Sequence, residues 1–449
     1  MNETLDFKEL EELLERHDYR KLRELLIEEN EVNIAIFIEE LPEEEALVVF
    51  RLLPKDLGAT VFSHLSGEAQ QELASAFSDQ DINDMLERLY LDDAVDFLEE
   101  MPANVVKRIL QQTRPERRLL INHYLQYPED SAGSIMTVEF TSLKRSMTVK
   151  QAINRLRTSG EDRETIYTCY VTDTNRKLEG VVSVKTLLLA DDDESVADLM
   201  ETDVISVLTN TDQEEVARIF SRYDFLSLPV VDQESRLVGI VTVDDAVDVI
   251  QEEATEDFEK MAAMAPSEKP YLSMSVWDNA KNRITWLLVL MISSMITGGI
   301  ISNYEHAFVH LPILVTFIPM LMDTGGNAGA QTSTMLIRGM ALNEISIKDI
   351  LQVVWKELRI ALVVGVILSV VNFIRIYYMH QDLIISLTVS GTLIATVIMA
   401  KLIGAVLPLL AKSMKLDPAI MAAPLITTIV DAGSLVVYFH IATLLIGKL

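Results

Sequence analysis

The sequence has a single cysteine, Cys169, among its 449 residues. No intrachain disulfide can form, and the cysteine usage does not point to an oxidising compartment. Basic residues are also scarce: 38 Lys and Arg stand against 68 Asp and Glu, a net charge of −30. Such a field repels nucleic acid and anionic lipid headgroups and attracts cations. The opening stretch MNETLDFKEL lacks the basic start and apolar core of a cleavable signal peptide, so the acidic half is expected to stay in the cytoplasm. The chain also offers no nucleophile–base pair and no closed set of His and Cys ligands, which argues against an enzyme.

The charge is unevenly spread. Residues 281–449 carry 8 acidic and 11 basic side chains, leaving 60 acidic and 27 basic among the first 280. A solubilising surface and a divalent-cation sensor would both produce that acidity, and net charge does not separate them.

Residues 1–130 read as short amphipathic units punctuated by Leu41-Pro42, Leu53-Pro54 and Met101-Pro102. Ala46, Val49, Phe50 and Leu53 show the helical spacing, and an all-α superhelical domain is expected. Residues 131–250 hold an internal duplication. YVTDTNRKLEGVVSVKTLLLA (170–190) aligns with PVVDQESRLVGIVTVDDAVDV (229–249), pairing Asp173 with Asp232 and Gly180 with Gly239. Each copy reads strand, helix, strand, turn, strand, helix, with Asn175 and Gly180 as turn residues. This pattern resembles a tandem cystathionine-β-synthase (CBS) pair, an α/β module that senses ligands.

Residues 251–280 form a connecting region: a helix from about Val243 to Met264, broken by Pro266 and Pro270. Residues 281–449 hold five apolar segments, near 285–303, 309–337, 358–379, 383–411 and 418–446. Each is long enough to cross the roughly 30 Å hydrocarbon core of a bilayer. Arg338, Lys348, Lys356, Arg359, Lys412 and Lys415 fall on one side and only Arg375 near the other, which fits a five-helix α domain with its N-terminus in the cytoplasm.

Two of these segments carry chemistry. PMLMDTGGNAGAQTSTMLIRGMAL (319–342) places glycines among Asn327, Gln331, Thr332 and Thr334. Either the run weakens the helix and frees backbone groups toward a wet cavity, or its small residues pack helices together. In the last segment Asp417-Pro418 suits a helix start, and 14 residues on lies Asp431, about 21 Å deep at 1.5 Å per residue. Thr427, Thr428, Asp431 and Ser434 recur at three- and four-residue spacing as one polar stripe. An ionised group there needs a partner or a water-filled cavity. A buried pair with Lys401 would supply the first and a cation pathway the second.

TGGNAGAQTSTMLIRGMAL and DPAIMAAPLITTIVDAGSLVVYF, following an acidic helical domain and a CBS pair, resemble the MgtE family of bacterial magnesium channels over essentially the full chain. The resemblance implies a homodimer in the bacterial cytoplasmic membrane, with a pore on the two-fold axis. Asp431 of both chains would hold Mg²⁺ through its water shell, and carbonyls at Ala423 and Thr427 would line the path. It also implies a cytosolic sensor in which Mg²⁺ bridges Asp92 and Asp96 to Asp245 and Asp248. Asp212, Glu214, Asp224, Glu253, Glu256 and Asp257 match further sensor positions. Bound ions would draw the acidic domains together, and the connecting helix would plug the pore. GIVTVDD (239–245) fits the CBS adenosine pattern, with Thr242 and Asp245 as ribose contacts, so ATP is a second candidate ligand. The competing reading is an ion-coupled carrier or exporter of Mg²⁺, Mn²⁺ or Co²⁺.

Overall fold

The computed structural model describes residues 7–160, 163–267, 271–272, 274–304, 312–421 and 423–446. The chain divides into two compact units, Met1–Ile250 and Gln251–Leu449.

The first unit opens with ten short helices: α1 (Phe7–Glu15), α2 (Tyr19–Glu28), α3 (Glu31–Glu40), α4 (Glu43–Leu52), α5 (Lys55–Ser63), α6 (Gly67–Ser75), α7 (Asp79–Leu86), α8 (Leu91–Glu99), α9 (Ala103–Gln112) and α10 (Pro115–Tyr124). The Leu-Pro pairs end one helix and begin the next. Pro42, Pro54 and Pro102 stand at the N-caps of α4, α5 and α9, with backbones extended away from the helix before them. Proline forces its predecessor out of the helical region, so the chain turns there. At α2, α3 and α7 polar caps do this work: Asp18, Asn30 and the reciprocal Ser78–Asp81 box.

The duplicated region follows as β1 (Ser142–Leu143), α11 (Val149–Ser159), β2 (Thr168–Thr172), β3 (Leu178–Ser183), α12 (Val184–Leu189) and α13 (Val196–Leu199). Its second copy is β4 (Val207–Leu208), α14 (Gln213–Tyr223), β5 (Ser227–Val231), β6 (Leu237–Thr242) and α15 (Val243–Met261). The copies give two three-stranded sheets, ordered β1-β2-β3 and β4-β5-β6, each with one parallel and one antiparallel pairing. The repeat is kept in register: Gly180 pairs with Val171 and Gly239 with Val230. A Cβ at Gly239 would lie 2.8 Å from the Thr137 carbonyl, and one at Gly180 2.8 Å from the Glu201 carbonyl. These glycines therefore serve close backbone approach, not the turn. The left-handed turn residues are Arg176 and Ser235, and Asp173 and Asp232 each accept two backbone N–H groups across their turns. One continuous core joins the helical stack to the second copy, through Leu91, Val95 and Phe97 on one side and Met136, Leu228 and Ala246 on the other.

The second unit holds α16 (Val276–Asn303), α17 (Ile318–Ala341), α18 (Ile350–His380), α19 (Leu383–Ser413) and α20 (Ala423–Ile446), with short 3-10 turns at Pro312–Phe317, Ile347–Asp349 and Pro418–Met421. Residues 305–311, which include the start of the second expected span at 309, lie outside the described residues, as do Pro270 and Ala422. Among the described residues, four stretches are long and apolar enough to cross a membrane: Val276–Asn303, Ile347–His380, Leu383–Ser413 and Pro418–Leu445. The polar glycine run of α17 keeps it out of that group, yet α17 packs against both α19 and α20. Along α18, Leu362, Val363, Val366, Ile367, Val370 and Val371 are exposed, an apolar row suited to lipid.

Candidate cation sites

Asp92 sits in the first turn of α8, and only 6% of its surface stays open to solvent. One oxygen accepts from the backbone N–H of Asp93 at 3.0 Å, which fixes its rotamer at a helix N-terminus. Asp245 sits in the first turn of α15, held by the Thr242 hydroxyl at 2.5 Å. Glu164 arrives from the loop before β2, its backbone N–H bonded to the Glu139 carbonyl at 3.0 Å. These three carboxylates each place an oxygen within 4.8 Å of the others. Asp93 and Asp244 lie close enough for their charges to act on the group.

The electrostatics are those of a site short of positive charge. Burial, then the charges of Glu164 and Asp245, push Asp92 well above the ordinary carboxylate range. Burial and Asp245 raise Glu164 to about 8, and burial with Asp245 and Asp244 raises Asp93 to about 7. Burial takes Asp245 to about 6 although the Thr242 hydrogen bond pulls the other way. Glu164 also leaves its buried Oε2 without a hydrogen-bond partner among the described residues. Converging oxygens, raised affinity for protons and an orphaned acceptor fit a hard divalent cation, whose charge would reverse each penalty.

The structure thus brings together Asp92 and Asp245 among the expected sensor residues. Asp96 and Asp248 are exposed, although Asp248 is raised by burial and by Asp244 and eased by His64. Asp212 caps α14, accepting from the Glu214 N–H at 2.9 Å; Glu214 is ion-paired with Arg218, and Asp224 ends that helix in the left-handed conformation. Glu253 and Asp257 are half-buried on α15, and Glu256 pairs with Lys260 at 2.6 Å. Sequence reasoning missed Glu164 and Asp93. Glu164 lies in an aperiodic loop that carries no spacing signal; Asp93 stands in LDDAVDFLEE but off the four-residue stripe of Asp92 and Asp96.

In the second unit, the polar stripe and the glycine run face each other. A Cβ on Gly326 would lie 3.0 Å from Thr427, one on Gly325 2.9 Å from Val430, and one on Gly329 2.8 Å from Ile426. Helix α17 runs unbroken through these glycines, so packing by small residues is the reading the fold carries, and no backbone is freed. Thr427 and Thr428 both donate to the Pro424 carbonyl at 2.9 Å. Ser434 is fully buried beside Gly325, so it faces the neighbouring helix. Ala423 is the first residue of α20 and Asp431 is half-buried two turns on. Asp417 caps a 3-10 turn in place of the expected α-helix start, accepting from the Ala419 N–H at 2.8 Å. Lys401 does not pair with Asp431. It reaches Glu357 at 3.5 Å and the Thr332 hydroxyl at 3.1 Å. At the end of α15, Lys260 bridges Glu256 to Asp417 at 2.8 Å, and Met261 packs against the apolar cluster that includes Leu336, Leu409 and Ala419.

Comparison with known proteins agrees with this layout. The family model described as a divalent cation transporter, MgtE, matches residues 318–441; the MgtE intracellular N domain matches 29–130, and CBS domains match 132–193 and 196–252. A magnesium transporter MgtE of Thermus thermophilus is 38% identical over 388 residues, 86% of each chain. Its Bacillus subtilis counterpart is 36% identical over 362 residues, 80% of this chain and 79% of the relative. Among solved structures, the soluble part of a magnesium transporter is 34% identical with a TM-score of 0.53, spanning 55% of this chain and 98% of that one. The cytosolic domain of the Mg²⁺ channel MgtE in complex with ATP is 43% identical with a TM-score of 0.51, spanning 54% of this chain and 98% of that one. With identity above one third across most of both lengths and each domain matched in order, the chain belongs to the MgtE family of divalent cation transporters.

Proposed function

We propose that this protein is a homodimeric Mg²⁺ channel of the bacterial cytoplasmic membrane, with its acidic N-terminal half in the cytoplasm, importing Mg²⁺ and closing when cytosolic Mg²⁺ rises. The observation that carries the reading is the convergence of Asp92, Glu164 and Asp245. They come from the helical stack, from the first CBS copy, and from the helix that continues toward the membrane domain. Without a cation, their mutual repulsion favours separation. With Mg²⁺ between them, the closed arrangement gains a ligand that the open one lacks, which is the condition for a ligand to shift an equilibrium.

Transport is assigned to α20. Mg²⁺ gives up water reluctantly, so two Asp431 carboxylates, one from each chain, would grip it through its hydration shell, with the carbonyls at Ala423 and Thr427 along the path. The Lys260–Asp417 bridge supports a closing role for α15, because it ties the end of that helix to the start of the proposed pore helix. Asp96, Asp248, Glu253, Glu256, Asp257, Asp212, Glu214 and Asp224 would add weaker, more exposed sites. ATP at the CBS pair, with Thr242 and Asp245 toward the ribose, is supported by the ATP complex of the similar cytosolic domain. Because Asp245 also belongs to the carboxylate cluster, ATP and Mg²⁺ would be linked through one side chain. Uptake of Mg²⁺ into liposomes holding the purified protein tests the assignment: flux should be lost in Asp431→Ala. Flux that requires a proton or sodium gradient would favour a carrier.

A further inference from the structure

Lys401 is a charged residue in the middle of α19, a helix whose other charged side chain, Lys412, stands in its last turn. Its side chain keeps 8% of its exposure and that of its partner Glu357, on α18, keeps 15%. Between them stands Thr332 of α17, a residue only 3% exposed. Its hydroxyl accepts from Lys401 Nζ at 3.1 Å and donates to Glu357 Oε2 at 3.0 Å. An ion pair between α18 and α19 alone would not need α17. Here the hydroxyl closes the pair, and three helices meet at one oxygen.

The backbone around this oxygen leaves little slack. A Cβ on Gly404 of α19 would lie 2.3 Å from the Gly329 carbonyl of α17, and one on Gly329 would lie 3.2 Å from the Ala400 carbonyl. The same stretch of α17 also meets α20. Gly326 and Gly329 receive Thr427 and Ile426, and the Ser333 hydroxyl donates to the Met421 carbonyl at 2.9 Å. Helix α17 is therefore gripped from one side by a charged network and carries, against its other contacts, the helix that presents Thr427 and Asp431. A shift of α17 along its axis by a fraction of a turn would break charge-assisted hydrogen bonds among side chains that are nearly fully buried.

We propose that Thr332, Lys401 and Glu357 form a positioning clamp for the ion path: they fix α17, and through it the register of α20. None of the three touches the ion. The proposal rests on the reading of Asp431 as the ion site. It goes beyond helix–helix adhesion, because adhesion needs only the ion pair while positioning needs the hydroxyl between them.

The test is Mg²⁺ uptake by the full-length protein in liposomes, read as half-saturating concentration and maximal rate separately. Thr332→Val keeps shape and ion pair but removes the bridge. Thr332→Ser keeps the hydroxyl, and the swap Glu357→Lys with Lys401→Glu reverses the pair, whose charges the hydroxyl can still bridge. Expected are an approximately tenfold higher half-saturating Mg²⁺ in Thr332→Val, on the scale of one lost hydrogen bond to a charged group, and values within about twofold of the parent for Thr332→Ser and the swap. Near-parent half-saturation in Thr332→Val would overturn the clamp, as would failure of Thr332→Ser to behave like the parent. Should Thr332→Val not fold, the swap decides: folded protein with a tenfold weaker half-saturation also overturns it. Asp431→Ala separates the two layers. If it leaves uptake intact, the ion-path reading fails and the clamp with it; if it abolishes uptake while Thr332→Val matches the parent, only the clamp fails.

Discussion

Asp92 and Asp245, 153 positions apart in the chain, bring carboxylate oxygens within 4.8 Å of each other beside Glu164, and burial raises the proton affinity of both. Two buried acids so close are destabilising unless protons or cations are shared between them. Limited proteolysis of the full chain should slow as Mg²⁺ rises into the millimolar range, and Asp92→Asn with Asp245→Asn should remove most of the protection. Cleavage that ignores Mg²⁺ in the parent would count against a sensor at this cluster.

The same cluster sets a pH dependence for the metal-free protein. Glu164, Asp93 and Asp245 have folded-state values near 8, 7 and 6, all above their ordinary values. Groups raised on folding bind more protons in the folded state, so their contribution is fully present below about pH 4 and is lost as pH climbs toward 8. In chelator, the first unit should therefore lose thermal stability between pH 5 and 8, through these groups, and added Mg²⁺ should restore it at pH 8. A melting temperature at pH 8 that Mg²⁺ does not raise would contradict the assignment.

Lys260 offers a separate handle on closure. Lys260→Met keeps much of the aliphatic stem but cuts the ties to Asp417 and Glu256. The closed state should weaken, seen as a higher cytosolic Mg²⁺ concentration for half-inhibition of flux. Unchanged half-inhibition would show that the bridge is incidental to gating.

Close packing in the membrane unit can be probed by adding one methyl group. Gly404→Ala would press a Cβ against the Gly329 backbone, which cannot swing aside, whereas Gly298 of α16 has open space around it. Overpacking of this kind costs about 1–3 kcal/mol, so Gly404→Ala should yield less folded protein from detergent extracts and Gly298→Ala about as much as the parent. Equal yields would mean that α17 and α19 lie further apart than this packing requires.

Much of this was legible in the residues. The Leu-Pro punctuation marked the short helices because proline acts locally, and the 59-residue offset of Asp173 and Gly180 set the register of both sheets because a duplication repeats its backbone constraints. The polar stripe of α20 was visible by spacing. The partners were not. Lys401 could have paired with Asp431 on composition alone, and only packing shows that Glu357 and Thr332 claim it. Glu164 sits in a loop, where position depends on contacts across the fold and not on periodicity. The role of Gly180 differs from the turn its sequence context suggests, because close approach by the Glu201 backbone leaves no mark within a single segment.

The most direct measurement is the current through an excised inside-out membrane patch. A channel gated at this cluster should give unitary Mg²⁺ currents that vanish as Mg²⁺ on the cytoplasmic face rises to millimolar levels, persist there in Asp92→Asn with Asp245→Asn, and are absent in Asp431→Ala. Unitary currents that survive Asp431→Ala, or flux without unitary currents that tracks a proton gradient, would contradict it.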